Sequence, residues 1–176
     1  MKRKVLFTVV LLLVTAAAAQ AQKPPTPSPE QKKLGVFVGS WTGEGKMETT
    51  PFSQGGVAQS TMTCKWYHGG YHLVCDAEDS GPVGKNFGHA IHGYDTEKKR
   101  YFTFGIESSG FAGPGGATVD GSTWMFDAKT TMAGKPLWYR TAVKFASPTE
   151  LSWKSEYSED GKTWKLQGEG KMAKKP

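Results

Sequence analysis

The residues of this 176-residue chain best suited to chemistry are four histidines: His68, His72, His89 and His92. Their spacing does not give the three or four ligands of a zinc site. In strand alternation His89 shares a face with Phe87 and Ile91, so we expect it to point inward, either as a hydrogen-bonded interior side chain or as an acid/base group. The opposite parity of His92 predicts the opposite face. We predict no metal and no cofactor.

Acidic residues and glycines give no established catalytic pattern. Asp76, Glu78 and Asp79 precede Gly81-Pro82 without a calcium-loop motif, which favours a solvated strand end. The chain has no nucleophile elbow, Walker loop or dinucleotide fingerprint. The sequence therefore predicts no catalytic residues and favours a non-enzymatic protein.

The two cysteines are placed symmetrically about a turn. If Gly69-Gly70 forms a two-residue hairpin, Cys64 lies directly opposite Cys75, next to the Trp66/Leu73 pair. Opposed residues lie within disulfide range, and the parity of this hairpin predicts a hydrogen-bonded pair. We expect a disulfide. Two buried free thiols and a redox pair are the alternatives.

The N-terminal segment has the three parts of a secretory signal. Lys2-Arg3-Lys4 is followed by an apolar run to Ala19, and Ala19-Gln20-Ala21 matches an A-x-A cleavage site. We predict a signal peptide over 1–21, a Pro-rich linker over 22–28 and a β-barrel domain over 29–176. The mature protein is expected to be secreted or periplasmic, with no stable membrane span after cleavage. A membrane anchor is the alternative.

Composition favours a β protein. The chain contains 6 Trp, 6 Tyr, 9 Phe and 22 Gly, a mixture that suits strands better than a helical bundle. The net charge is +6, and without Lys2, Arg3 and Lys4 there remain 19 basic against 16 acidic residues. The basic balance thus belongs largely to the signal segment, and we expect no nucleic-acid partner.

A short helix should precede the strands. Ser28 followed by Pro29 and Gln31 forms a capping box, and an apolar face continues at Leu34, Phe37 and Val38, so we predict a helix over 29–38. From Trp41 the period becomes two. Further strands are predicted at 57–67, 71–79, 87–94, 100–108, 112–119, 122–129, 136–146, 150–158 and 162–172. We predict an all-β fold, an antiparallel meander barrel of about ten strands.

Two further turns predict strand registers. A hairpin at Asp160-Gly161 places Trp153 opposite Gly168 and Glu156 opposite Lys165. A hairpin at Asp120-Gly121 places Trp124 opposite Ala117 and Phe126 opposite Gly115. Both arrangements put large rings over small residues.

A five-residue repeat marks the first and last long strands. Gly43-Glu44-Gly45-Lys46-Met47 recurs as Gly168-Glu169-Gly170-Lys171-Met172. Pairing of these strands would close the barrel along a seam of inward glycines. Such a seam would be covered by neighbouring rings or would leave space for a ligand.

Three stretches resemble a known family. They are 34–41 (LGVFVGSW), 93–101 (GYDTEKKRY) and 158–164 (SEDGKTW). A helix leading into Gly39-Ser40-Trp41 is similar to the start of lipocalin-like (calycin) barrels, and the three stretches together resemble the bacterial domain of unknown function 1579. The resemblance implies a lipocalin-like barrel and no assigned reaction. Trp41 to Gly45 also looks like the opening of nitrobindin-type haem barrels, but the C-terminal histidine of those proteins has no counterpart after His92.

An aromatic barrel interior suggests ligand binding. We expect a small apolar or aromatic ligand, with Arg140 stacked on Trp41 as one polar handle. The candidate binding residues are Trp41, Trp66, Tyr71, His89, Phe102, Phe104, Arg140 and Trp153. The alternatives are a structural or partner-binding module with a filled barrel, and an enzyme that uses His89 or an inward carboxylate such as Glu107. The sequence specifies no oligomeric state.

Overall fold

The structure is a computed structural model that describes residues 26–82, 84–132 and 134–176. The predicted signal peptide and residues 22–25 of the predicted linker lie outside the described residues. Within the described ranges, no helix is long and apolar enough to cross a membrane.

A short helical segment comes first. Helix α1 spans Pro29–Lys33 and continues as a 3-10 turn over Leu34–Phe37. The predicted capping box is present: the Gln31 amide donates to Ser28 Oγ (3.2 Å) and the Ser28 amide donates to Gln31 Oε1 (2.6 Å). Leu34 and Phe37 are buried, so the apolar face faces the core, as predicted.

Ten antiparallel strands form a closed barrel, which confirms the predicted fold class. Each strand pairs with the next along the chain, and β1 pairs with β10. The strands are β1 Gly39–Met47, β2 Gly56–Trp66, β3 His72–Gly81, β4 Gly84–Asp95, β5 Arg100–Glu107, β6 Ala112–Asp120, β7 Thr123–Met132, β8 Lys135–Ser147, β9 Glu150–Ser158 and β10 Lys165–Lys174.

The helical segment plugs one end of the barrel, which we call the closed end. The Phe37 ring makes edge contacts with Trp124, Phe126 and Phe145 at centroid distances of 5.1–5.8 Å. Trp41 Nε1 donates to the Phe37 carbonyl at 2.8 Å, so the first strand is tied to the plug. The opposite end, where β1 finishes and β2 begins, we call the open end.

Glycines from the repeated pentapeptide form the seam between β1 and β10. Gly45 lies opposite Gly170, and Met47 lies opposite Gly168. A Cβ atom at Gly45 would collide with the Trp153 ring, and one at Gly170 would collide with the Glu44 carbonyl and the same ring. The predicted seam is confirmed, and a ring does cover it.

Two predicted registers are wrong. In β9–β10, Trp153 lies opposite Gly170 instead of Gly168, and Glu156 lies opposite Leu166 instead of Lys165. The cause is a six-residue connection with a register irregularity between Leu166 and Gly168, which together shift the pairing. The Glu156 carboxylate instead pairs with Arg140, at 2.5 Å, and Lys165 pairs with Glu159.

The β6–β7 register is displaced by two residues. The chain reverses at Gly121 and Ser122, because Asp120 is already paired with Thr123. Trp124 therefore lies opposite Val119, and Phe126 lies opposite Ala117. A displacement of two leaves every side chain on its predicted face, so the error does not change the core.

The cysteine pairing is confirmed. Cys64 lies opposite Cys75 and the two form a disulfide. The predicted hydrogen-bonded type of pair is wrong: the Cα–Cα distance is 4.1 Å, as in the narrow type. The loop has four residues, 68–71, instead of two, and the Tyr67 amide donates to the His72 carbonyl across it (2.8 Å). The hydrogen-bonded pairs of this hairpin are therefore shifted by one residue, so Cys64 and Cys75 form a non-hydrogen-bonded pair.

Candidate ligand-binding site

The inner face of the barrel is buried at the closed end and partly exposed to solvent at the other. At the closed end Trp41, Leu73 and Trp124 are 0%, 0% and 2% exposed. At the open end Met132, on the same inner face as Trp124, is 42% exposed, and Asp79 and Glu107 are also exposed. On the opposite side of the same end the inner-face residues Leu137 and Tyr157 are each 4% exposed, so the solvent-exposed part of the rim is formed by β3, β5 and β7.

Small residues line the middle of the wall, next to this opening. They alternate with outward side chains and pair with one another across strands β3 to β7. They are Ala77, Gly88, Ala90, Gly105, Gly113, Gly115 and Ala128. Because a glycine or alanine reaches only a short way inward, this row leaves room in the barrel.

Polar side chains cluster at the rim of the opening on β2 to β5. Ser60 Oγ donates to Asp79 Oδ1 at 2.5 Å, and Asn86 Nδ2 donates to Glu107 Oε2 at 3.2 Å. Asp79 lies opposite Asn86. The surrounding wall desolvates Asp79 although solvent reaches it, and this desolvation, together with the Glu107 charge, raises the pKa of the Asp79 carboxyl while the Ser60 bond lowers it.

Aromatic rings complete the opening. Phe52, in the β1–β2 loop, contacts Tyr157 at a centroid distance of 4.9 Å and Tyr139 at 6.3 Å. Phe111, in the β5–β6 loop, lies near the inner faces of Gly105 and Gly113. Trp153 covers the glycine seam. The open end therefore presents rings and small apolar residues, with carboxylates at one side of its rim.

His92 lies on the inner wall, nearer the closed end, so the predicted outward orientation of this residue is wrong, although it does face opposite to His89. It pairs with Leu73 and Thr103, and its ring meets Phe126 at a centroid distance of 5.7 Å. Its buried Nδ1 has no hydrogen-bond partner in the described part of the chain. Burial lowers the pKa of this imidazole to about 4.

The predicted inward orientation of His89 is wrong. His89 lies on the outer face, where its Nδ1 contacts Asp76 Oδ1 at 2.7 Å. Phe102 and Phe104 also face outward, because their strand turns Tyr101 and Thr103 inward, and Phe104 is 47% exposed. These three residues are not part of the barrel interior. Glu107 does face inward, as predicted.

The predicted stacking of Arg140 on Trp41 is also wrong. Arg140 is on the outer face of β8, and its guanidinium lies 4.2 Å from the centre of the Trp164 ring. The cation that lies over the Trp41 ring is Lys174, whose Nζ is 5.0 Å from the ring centre. Trp41 is fully buried against the plug. Of the predicted contacts, Trp153 is the one that reaches the open half.

Trp66 and Tyr71 lie at the closed end, near the β2–β3 loop. Trp66 helps to line an outer groove of about 800 Å³ together with His89 and Phe102. The Trp66 side chain itself faces inward and packs against the core and the plug, so only His89 and Phe102 lie on the outer face. The rim residues Ser60, Asp79, Asn86 and Tyr139 were missed. Strand parity from Cys64 and from Cys75 could have identified Ser60 and Asp79, which lie on the same strands.

The family assignment rests on the whole barrel. Residues 26–173 match a family described as a protein of unknown function, DUF1579. The chain belongs to this family. No curated protein matches the sequence. The DUF1579 assignment thus confirms the resemblance noted above and brings no reaction with it.

Two solved structures share the fold of this DUF1579 protein. Rv2717c from M. tuberculosis has 14% identity and a TM-score of 0.61, and the match covers 85% of this chain and 99% of that one. The S-type phycobiliprotein lyase CPES from Guillardia theta has 12% identity and a TM-score of 0.58, with 84% and 93% covered. At these identities the similarity establishes a lipocalin-like barrel.

Proposed function

We propose that this DUF1579 protein binds a small, largely apolar ligand with an aromatic or conjugated part in the open half of its barrel. One observation carries the proposal: on β3, β5 and β7 the inward side chains at the open end, such as Met132, are exposed, and the wall next to them is lined by glycines and alanines. Closed barrels that leave such a space are frequent ligand sites. A protein with a similar barrel is named a phycobiliprotein lyase, which is compatible with this class of ligand.

The wall determines which ligands fit. Trp153, Tyr139 and Tyr157 offer ring faces and edges, while Ser60 and Asn86 offer hydrogen bonds. Two carboxylates at the rim, Asp79 and Glu107, repel an anion. We therefore expect neutral or cationic aromatic ligands to bind better than fatty acids of similar size.

The alternatives fit the geometry less well. A structural module with a filled barrel would bury the inner face all around the open end, as at Leu137 and Tyr157, whereas Met132 is exposed. For an enzyme in the barrel, His89 is excluded because it is paired with Asp76 on the outer face, and the inward Glu107 has Asn86 and Ser109 as its hydrogen-bond partners instead of a second acid/base group. Secretion or a periplasmic location remains part of the proposal, supported by the signal pattern and by the disulfide, which persists in oxidising compartments.

Native mass spectrometry of the protein purified from the compartment to which it is exported tests the proposal. We expect a co-purifying small molecule, or quenching of tryptophan fluorescence by members of a neutral aromatic panel. Repeated recovery of bare protein, together with no quenching across neutral, cationic and lipid panels, would overturn the proposal.

A cavity-filling substitution tests the location. A Cβ at Gly105 would meet only the Phe111 ring, at 3.9 Å, so Gly105→Leu adds its side chain to the open space without backbone strain. We expect at least about a tenfold loss of affinity, which is about 1.4 kcal/mol. The control is Ala146→Leu on the exposed outer face, which should bind like the native protein. Equal affinity of both variants would place the ligand elsewhere.

A further inference from the structure

On the inner face of β4, His92 is the first large side chain below the rim of the open end. The inward residues of this strand nearer the rim are Asn86, Gly88 and Ala90. A Cβ atom at Gly88, or at Gly105 on the neighbouring strand, would meet no described atom closer than 3.9 Å. This side of the wall therefore carries only small side chains between the rim and His92.

The imidazole of His92 has unused hydrogen-bonding capacity. Its Nδ1 is buried without a partner, and the ring forms no hydrogen bond or ion pair with another described residue. Buried polar atoms in folded proteins nearly always have a partner, so an exception needs an explanation such as a bound water or ligand. The side chain as a whole is only partly buried although it lies inside the wall, so part of the ring faces the interior.

The surroundings of this imidazole favour a neutral partner. Leu73 and Thr103 lie opposite His92 on the neighbouring strands, and the Phe126 ring is 5.7 Å away. Burial lowers the pKa of His92 to about 4, so the ring is uncharged at neutral pH and offers one N–H donor and one nitrogen acceptor. A hydroxyl group can pair with either nitrogen, whereas a carboxylate would be a charge in an apolar place.

We propose that His92 determines ligand specificity in the barrel, through a hydrogen bond between its imidazole and a neutral hydroxyl group at the inner end of an aromatic ligand. This inference rests on the proposed function, because it requires a ligand in the open half. It narrows the expected ligands to phenol-like molecules, since a ring that carries the hydroxyl at this depth also contacts the Phe126 ring.

The depth of His92 sets the length of the ligand. Glu107 at the rim lies opposite Gly88, which is four residues from His92 along β4. This separation corresponds to about 13 Å. A polycyclic aromatic molecule that bonds His92 at one end therefore has its other end near the polar rim, where Ser60 and Asn86 offer further hydrogen bonds.

A matched pair of probes separates this hydrogen bond from the rest of the binding energy. 2-Naphthol and 2-methylnaphthalene have nearly the same size and differ by a hydroxyl in place of a methyl group. Quenching of tryptophan fluorescence measures both affinities. We expect His92→Phe to reduce the preference for 2-naphthol over 2-methylnaphthalene by about fivefold or more. The matched control is His89→Phe on the outer face, which should leave the preference unchanged.

Two further variants separate the hydrogen bond from a defect in folding. His92→Leu removes both nitrogens in a different shape and should behave like His92→Phe. His92→Asn keeps an amide near the position of Nδ1 and should retain part of the preference. Circular dichroism of each variant checks that the barrel is folded. A merely structural role of His92 would change both affinities together and leave their ratio unchanged.

The outcomes distinguish this inference from the proposed function. If both probes bind and the preference for 2-naphthol is the same in the native protein, His92→Phe and His92→Leu, the role of His92 is overturned and ligand binding stands. If other neutral aromatic molecules bind but 2-naphthol does not, the phenol-like class is wrong. If no aromatic molecule or lipid binds, the proposed function fails and this inference fails with it.

Discussion

His92 is a buried imidazole whose ring contacts Phe126 and whose Nδ1 has no partner within the described residues. Burial lowers its pKa from 6.5 to about 4, so it is neutral at neutral pH. The neutral imidazole can be accommodated next to the apolar Phe126 ring. The protonated imidazolium would be a buried charge without a counter-ion. The residue therefore links the stability of the barrel to pH.

Acid should remove the stability that depends on neutral His92. The unfolded chain binds the proton near pH 6.5 and the native barrel near pH 4, so this contribution is complete above pH 6.5 and is lost as the pH falls toward 4. The loss is about 3 kcal/mol. Urea unfolding at a series of pH values should show it in the native protein and not in His92→Phe. Parallel pH profiles for the two proteins would contradict this assignment.

Among the elements, the β2–β3 hairpin connects the plug to the wall. Its disulfide is buried, with Cys64 2% and Cys75 6% exposed, and it belongs to the cluster that contains Leu34 and Trp41. The cross-link closes a short loop, so it restricts the unfolded chain while also packing the closed end.

Removal of this cross-link should destabilise the barrel. We expect Cys64→Ser/Cys75→Ser to lower the free energy of unfolding by about 3 kcal/mol, from the lost loop constraint and the buried hydroxyls. Urea denaturation with and without reductant measures this loss. Reductant should lower the stability of the native protein and leave the double variant unchanged. A native protein that is insensitive to reductant would contradict the structural role of the disulfide.

At the scale of the whole molecule, closure of the sheet depends on the β1–β10 seam. Gly45 and Gly170 let the two backbones and the Trp153 ring approach closely. In every other pair of neighbouring strands the two strands are consecutive in the chain. The β1–β10 pairing is therefore the contact that joins the first and last strands and closes the sheet.

A methyl group at the seam should be costly. Gly45→Ala would place its Cβ against the Trp153 ring and the Glu169 carbonyl, so we expect a loss of about 2 kcal/mol or more in the free energy of unfolding. The control is Gly88→Ala, where a Cβ would meet only ordinary contacts at 3.9 and 4.0 Å. Thermal and urea unfolding of both variants measure the difference, and equal stability would show that the seam relaxes easily.

Local pattern in the sequence determined much of this fold. The two-residue period and the turn residues predict the strands and the all-β barrel, the capping box predicts the plug, and the spacing about Gly69-Gly70 predicts the disulfide. These features depend on backbone conformation or on pairing between near neighbours in the chain. Both the local backbone conformation and such short-range pairing are determined by residues that are close in sequence.

Tertiary structure decided which face of β5 is inside. Its outer face, Phe102, Phe104 and Ile106, is more apolar than its inner face, Tyr101, Thr103, Gly105 and Glu107, so hydrophobicity alone predicts the wrong orientation. Its inner face can contain small residues because the interior is shared by all ten strands, and side chains of other strands supply the apolar packing at the closed end. The volume that is available inside the barrel depends on the side chains of all ten strands, so the sequence of one strand does not specify which of its faces is inside.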